Sequence, residues 1–95
     1  MKEDAKMFKL KANNGFNNIT GQRLTKIRHE RGISQRALAR MMQVAGYDVD
    51  HHFIRRIENG ERFVTDIELN ALSKVLDIGI LELMDTTIPI SSHDD

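Results

Sequence analysis

Ninety-five residues with 40% hydrophobic content, four Phe, one Tyr and no Trp suit one small domain with a single core, and disfavour an all-β sandwich or an aromatic ligand pocket. The absence of cysteine excludes disulfides and thiolate chemistry and permits a reducing interior. Formal net charge is zero, yet the charges are sorted: +2 over residues 1–19, +4 over 20–63 and −6 over 64–95, a polarity that points to one basic working face and one acidic end.

A domain of this size buries only about 60–65% of its unfolded surface, so its helices must pack well or its subunits must pair. The opening "MKEDAKMFKLKANNGF" lacks the apolar core of a signal peptide, and no run approaches the length of a membrane span. The expectation is a soluble, cytoplasmic protein without a membrane partner.

In chain order, residues 1–18 form an arm. Its "FKLK" alternates apolar and charged residues as a short strand would, and "NNGFNN" has turn composition. Thr20 is placed to cap a first helix carrying Leu24 and Ile27 and ended by Gly32. Ser34 caps a second, with Leu38, Met41, Met42 and Ala45 on one face and Arg36, Arg40 and Gln43 on the other. Asp50 caps a third. On it Phe53, Ile54 and Ile57 form a narrow apolar arc, opposite His51, His52, Arg55, Arg56 and Asn59, with Glu58 at the arc's edge and Gly60 as the stop.

The fourth helix has the clearest start. Thr65 and Glu68 stand at capping-box spacing, and Val64 and Leu69 at hydrophobic-staple spacing. Ile67, Ala71, Leu72, Val75 and Leu76 give the helix a wide apolar face. "ILELMD" makes a short fifth helix after Gly79, and the polar tail 86–95 ends in "SSHDD", expected to fray. The fold class is all-α: five helices in one domain over 19–85.

The third helix raises three chemistries. Zinc ligands on a helix need i,i+3 or i,i+4 spacing, whereas His51 and His52 diverge by about 100° and the helix itself offers no Cys or carboxylate one turn away. Catalysis finds no nucleophile–base pair, because Ser34 is explained as a cap and Ser73 as an exposed position, and no glycine-rich phosphate loop is present. No cofactor and no enzyme activity are expected. The remaining reading uses every residue of the polar side: Arg bonds guanine edges bidentately, His and Asn donate to bases or phosphates, and a helix of this width enters the major groove of double-stranded DNA.

"GQRLTKIRHERGISQRALARMM" followed by "FIRRIENGERFVTDIELNALSKVLDI" resembles the helix-turn-helix DNA-binding domain of the XRE family, the Cro and phage-repressor type, over about Ile19 to Asp85. The resemblance implies a five-helix lambda-repressor-like domain and sequence-specific DNA binding, as a transcriptional repressor more than an activator. It implies that Gln35 reaches DNA backbone or a base edge, that His51, His52 and Arg56 read bases with Arg55 near them, and that Asn59 and Arg62 contact phosphate. Arg28 and Glu58 match a pair that forms a salt bridge between the first and third helices.

The sequence departs from the family pattern in two places. "MMQVAGYDVDHHF" makes the connection between the second and third helices several residues longer than usual, like a longer variant of the family. Asp50 stands where Ser or Thr is commoner, an acid that its capping bonds can turn inward or that rejects some DNA sites. A near-neutral domain gains affinity by pairing, so a homodimer on half-sites about one helical turn apart is expected. Its interface is expected on the fifth helix with Ile80, Leu83, Ile88 and Ile90, or on the arm around Phe8 and Leu10. The histidines imply stronger binding below about pH 6.5. The rival reading is an antitoxin-like or adaptor module whose main partner is a protein.

Overall fold

The computed structural model describes residues 10–12 and 14–92. Among them the order is β1 (Leu10–Ala12), α1 (Gly21–Glu30), α2 (Gln35–Val44), α3 (His51–Glu58), α4 (Asp66–Leu76), α5 (Ile80–Leu83) and β2 (Ile90–Ser92). None of these helices is long and apolar enough to cross a membrane.

Each helix start has an identifiable cause. Ser34 Oγ accepts from the Ala37 amide at 2.9 Å, and Asp50 Oδ1 accepts from His52 and Phe53 at 3.0 and 3.3 Å. The Thr65–Glu68 box closes in both directions, at 3.0 and 3.1 Å, and the Glu82 carboxylate receives the Gly79 amide at 3.1 Å. α1 differs from the sequence expectation. Thr20 occupies the cap position but is buried, has helical rather than extended backbone, and makes no side-chain cap bond. Asn18 does the work instead, its Oδ1 accepting from Gly21 and Thr20 at 2.7 and 3.1 Å.

All five helices feed one core. Leu24, Leu38, Met42, Ile54, Ile57, Leu72, Leu76 and Leu83 are fully buried, with Ile27, Ile33, Val64, Leu69 and Val75 packed at its margin. Truncating a Leu, Ile or Met in such a cluster to Ala costs about 2–5 kcal/mol, which makes this packing the principal source of stability. Two faces are turned from their expected orientation. On α2 the buried arc centres on Leu38, Ala39 and Met42, leaving Met41 and Ala45 exposed, because α3 packs over the small Ala39. On α4 Ile67 is 75% exposed, since it lies in the first turn where Val64 and Leu69 already cover the core.

β1 and β2 pair antiparallel, with Leu10 opposite Ser92, Lys11 opposite Ser91 and Ala12 opposite Ile90. The strand expected at "FKLK" therefore appears at its carboxyl end, while Phe8 and Lys9 lie outside the described residues. The tail forms a strand at Ile90–Ser92 in place of fraying there. Its partner is a segment some eighty residues away, which tail composition cannot reveal. Leu83 is buried in the core and is removed from the candidate dimer residues.

Candidate nucleic-acid interface

α3 is an eight-residue amphipathic segment with its two sides cleanly separated. Phe53, Ile54 and Ile57 are buried against the core, while His52, Arg56 and Asn59 form an exposed stripe at i, i+4 and i+7. His51 and Arg55, half-buried, form the adjoining stripe. Adjacent on the helix, His51 and His52 still turn their rings together, with centroids 4.1 Å apart. Among the described residues no three His, Cys, Asp or Glu side chains converge as a metal site would require.

The carboxyl-terminal turn of α3 is fixed by a buried ion pair. Arg28 Nε and Nη2 each reach a different oxygen of Glu58 at 2.8 Å, a fork-on-fork pair with side chains only 9% and 5% exposed. Arg28 Nη1 also donates to the Ile33 carbonyl at 3.0 Å, and Gln35 Nε2 donates to Glu58 Oε1 at 3.0 Å. Gln35, carried into the DNA-contact set by resemblance, thus spends its amide N–H on Glu58 while opening α2. Burial pushes the Glu58 carboxyl up, but the bonds from Arg28 and Gln35 and the Arg28 charge outweigh it, and the net shift is downward. The same hydrogen bond raises Arg28.

The other predicted cations are placed differently. Arg62 pairs with Glu68, and its guanidinium stands 4.8 Å over the Phe53 ring. It shares with His52, Arg56, Asp48 and Asp50 a groove beside the exposed side of α3. At the carboxyl end Asn59 Nδ2 donates to Glu61 Oε2 at 3.2 Å, and Arg55 approaches that oxygen at 3.9 Å. Glu61 is thus the local counter-charge. Partial desolvation lowers the His51 pKa, reinforced by the charges of Arg36 and His52. Asp50 is opposed by desolvation yet sits below the usual carboxylate range, held there by the amides of Phe53 and His52 and the nearby histidines.

The long α2–α3 connection has a specific anchor: Gln43 Nε2 donates to the Val49 carbonyl at 2.7 Å, holding the chain just before the Asp50 cap. A second groove lies between α2 and the start of α3, lined by Arg36, Ala39, Arg40, Gln43, Asp50 and His51. Arg36 and Arg40 were not assigned to the interface from sequence. Their signal was available, as two cations one turn apart on the polar face of α2, but only the packing of α2 on α3 brings them beside His51.

A family model described as Helix-turn-helix matches residues 24–83. Among solved structures, the crystal structure of the restriction-modification controller protein C.AhdI from Aeromonas hydrophila is similar, with a TM-score of 0.60 and 32% identity over 68% of this chain and 91% of that one. No curated protein matches.

Proposed function

Since this chain belongs to the helix-turn-helix family, in its XRE branch, and is a DNA-binding transcription regulator, we propose that α3 is its reading head and enters the major groove of double-stranded DNA. The observation that carries this is the division of α3 into a buried Phe53–Ile54–Ile57 side and an outward His52–Arg56–Asn59 stripe. In this reading Arg56 and His52 address base edges, with His51 and Arg55 beside them. Asn59, Arg62 and the α2 amino terminus at Gln35 face the phosphates, joined by Arg36 and Arg40 in the flanking groove. Arg28 and Glu58 touch no DNA and hold α3 to α1. The acidic carboxyl-terminal third, in contrast, repels phosphate and orients the domain.

The likeness to a restriction-modification controller supports a regulatory role; a cytoplasmic location, repression as the mode and a homodimer as the bound form are proposed with it. Exposed Ile80 and Leu81 on α5 are the proposed pairing residues. Catalysis has no part in this reading.

The test is to incubate the folded protein with a pool of random duplexes at low salt and sequence what it retains. An enriched inverted repeat supports a dimeric, sequence-specific reader and locates its half-sites. An unenriched pool overturns the reading and favours a protein partner. Arg56→Ala separates the classes further, because it abolishes retention by a reader and leaves an adaptor untouched.

A further inference from the structure

The linker before α1 is bonded to the far end of the reading helix. Asn18 uses its whole carboxamide: Oδ1 caps α1 through Gly21 and Thr20, while Nδ2 donates to the carbonyls of Ile57 at 3.1 Å and Arg62 at 2.9 Å. Ile57 lies in the last turn of α3, where its carbonyl accepts the Gly60 amide at 3.0 Å as well as Asn18, and Arg62 lies in the loop that follows. Directly beneath, Gly21 meets this helix end backbone to backbone. A Cβ at Gly21 would collide with the Ile57 carbonyl and press on Glu58 Cα at 3.2 Å. The residues before Asn18 continue the contact. Asn17 donates its amide to the Gly60 carbonyl at 2.9 Å and its Nδ2 to the Glu61 carbonyl at 3.1 Å, and the Phe16 ring fills the space a Gly60 side chain would need.

We propose that Asn18 is a positioning residue for DNA reading, setting the angle and depth of α3 by tying its carboxyl end to the start of α1. This rests on the reading of α3 as the recognition helix. The Arg28–Glu58 pair grips the same carboxyl-terminal turn of α3 from the other end of α1, so that turn is held at two points along α1 where one would leave it free to pivot. Base-edge hydrogen bonds tolerate displacements of only about 0.5 Å. Phosphate attraction falls off gradually and tolerates more. Releasing the tie therefore costs discrimination before it costs general affinity.

Asn18→Asp isolates the tie from the cap. Aspartate keeps the acceptors that cap α1, but it has no donor and sets a carboxylate against two carbonyls. The measurement is the ratio of affinities for the duplex enriched from the random pool and for a scrambled duplex, with the salt slope of each. The expected result is a fall in that ratio of roughly tenfold, with affinity for scrambled DNA and both slopes unchanged. A merely structural role lowers the active fraction, reduces both affinities in proportion and leaves the ratio alone; that result overturns the proposal, as does a wild-type ratio. Phe16→Ala, which loosens the same attachment without touching the cap, is the companion variant and decides alone if Asn18→Asp does not fold. Its expected fall is smaller, and an unchanged ratio overturns the proposal. If the wild-type protein enriches no duplex, the recognition-helix reading has failed and this inference falls with it.

Discussion

Removing the Glu58 carboxylate strands the Arg28 guanidinium in a site where its side chain is only 9% exposed. Breaking one half of a buried pair is far costlier than the pair's net worth, because the remaining charge has lost its compensation. Glu58→Ala is therefore expected to destabilise the domain by about 3–5 kcal/mol, read as a large drop in melting temperature; a drop no greater than that of the exposed Glu30→Ala would refute it. Acid should act in the same direction. The folded pKa of Glu58 lies below its ordinary 4.5, so its contribution is complete above pH 4.5 and is lost as pH falls through the lowered value. Glu68, also lowered with burial opposing and the Thr65 amide and Arg62 favouring the charge, reinforces that decline. Melting measured from pH 7 down to 3 should stay level and then fall, and Glu58→Gln should flatten part of the fall.

His51 responds to pH through binding rather than folding. In the free protein its pKa is lowered by desolvation and by the neighbouring Arg36 and His52. A phosphate placed beside it raises that pKa, and proton uptake on binding strengthens the complex as pH falls. The gain starts below the pKa of the complex and continues past 6.5, down to the depressed value of the free protein. The unperturbed histidine assumed from sequence would complete its response sooner. Affinity titrations from pH 8 to 5.5 should rise toward acid for the native protein and less for His51→Gln. Equal profiles would place His51 away from phosphate.

At the scale of elements, the cap of α3 sets stability against affinity. Asp50 holds the His52 and Phe53 amides and opens the reading helix, but it also brings a full negative charge to a surface proposed to meet DNA. Asn caps a helix about as well as Asp. Asp50→Asn should leave the melting temperature near the native value and raise affinity for scrambled duplex at low salt, with the gain vanishing as salt screens it; unchanged affinity would mean that the carboxylate faces away from the bound backbone. Such caps were legible because their code is local: Ser34, Asp50 and the Thr65–Glu68 box each bond within three residues. Asn18's cap of α1 is just as local but was hidden by Thr20, which stands nearer the helix. Its tie to Ile57 and Arg62 was not legible at all, since those partners are brought to it only by the finished fold. The same distinction explains the faces. Period 3.6 identified Phe53, Ile54 and Ile57, whereas the exposure of Met41 and Ile67 depends on where neighbouring helices stop, which no single helix encodes.

For the whole molecule, zero net charge hides a domain whose first three helices and their connections carry the excess of cations while its last third is acidic. The field at the reading face is what matters to DNA, and its signature is salt dependence. About six phosphate contacts per bound unit give a slope of log affinity against log salt near −5, where a neutral adaptor surface gives a slope near zero. Pairing should make that slope steeper per complex and make binding concentration-dependent. Leu81, 77% exposed on a helix whose inward Leu83 is fully buried, offers the cleanest way to separate the two effects. Leu81→Asp should leave the fold intact, since no core contact is lost. It should yield monomers in sedimentation at micromolar concentration and bind a single half-site with the unpaired slope. A dimer persisting in that variant would move the interface off α5, and a monomeric native protein, with and without DNA, would remove pairing from the mechanism and leave affinity to the basic face alone.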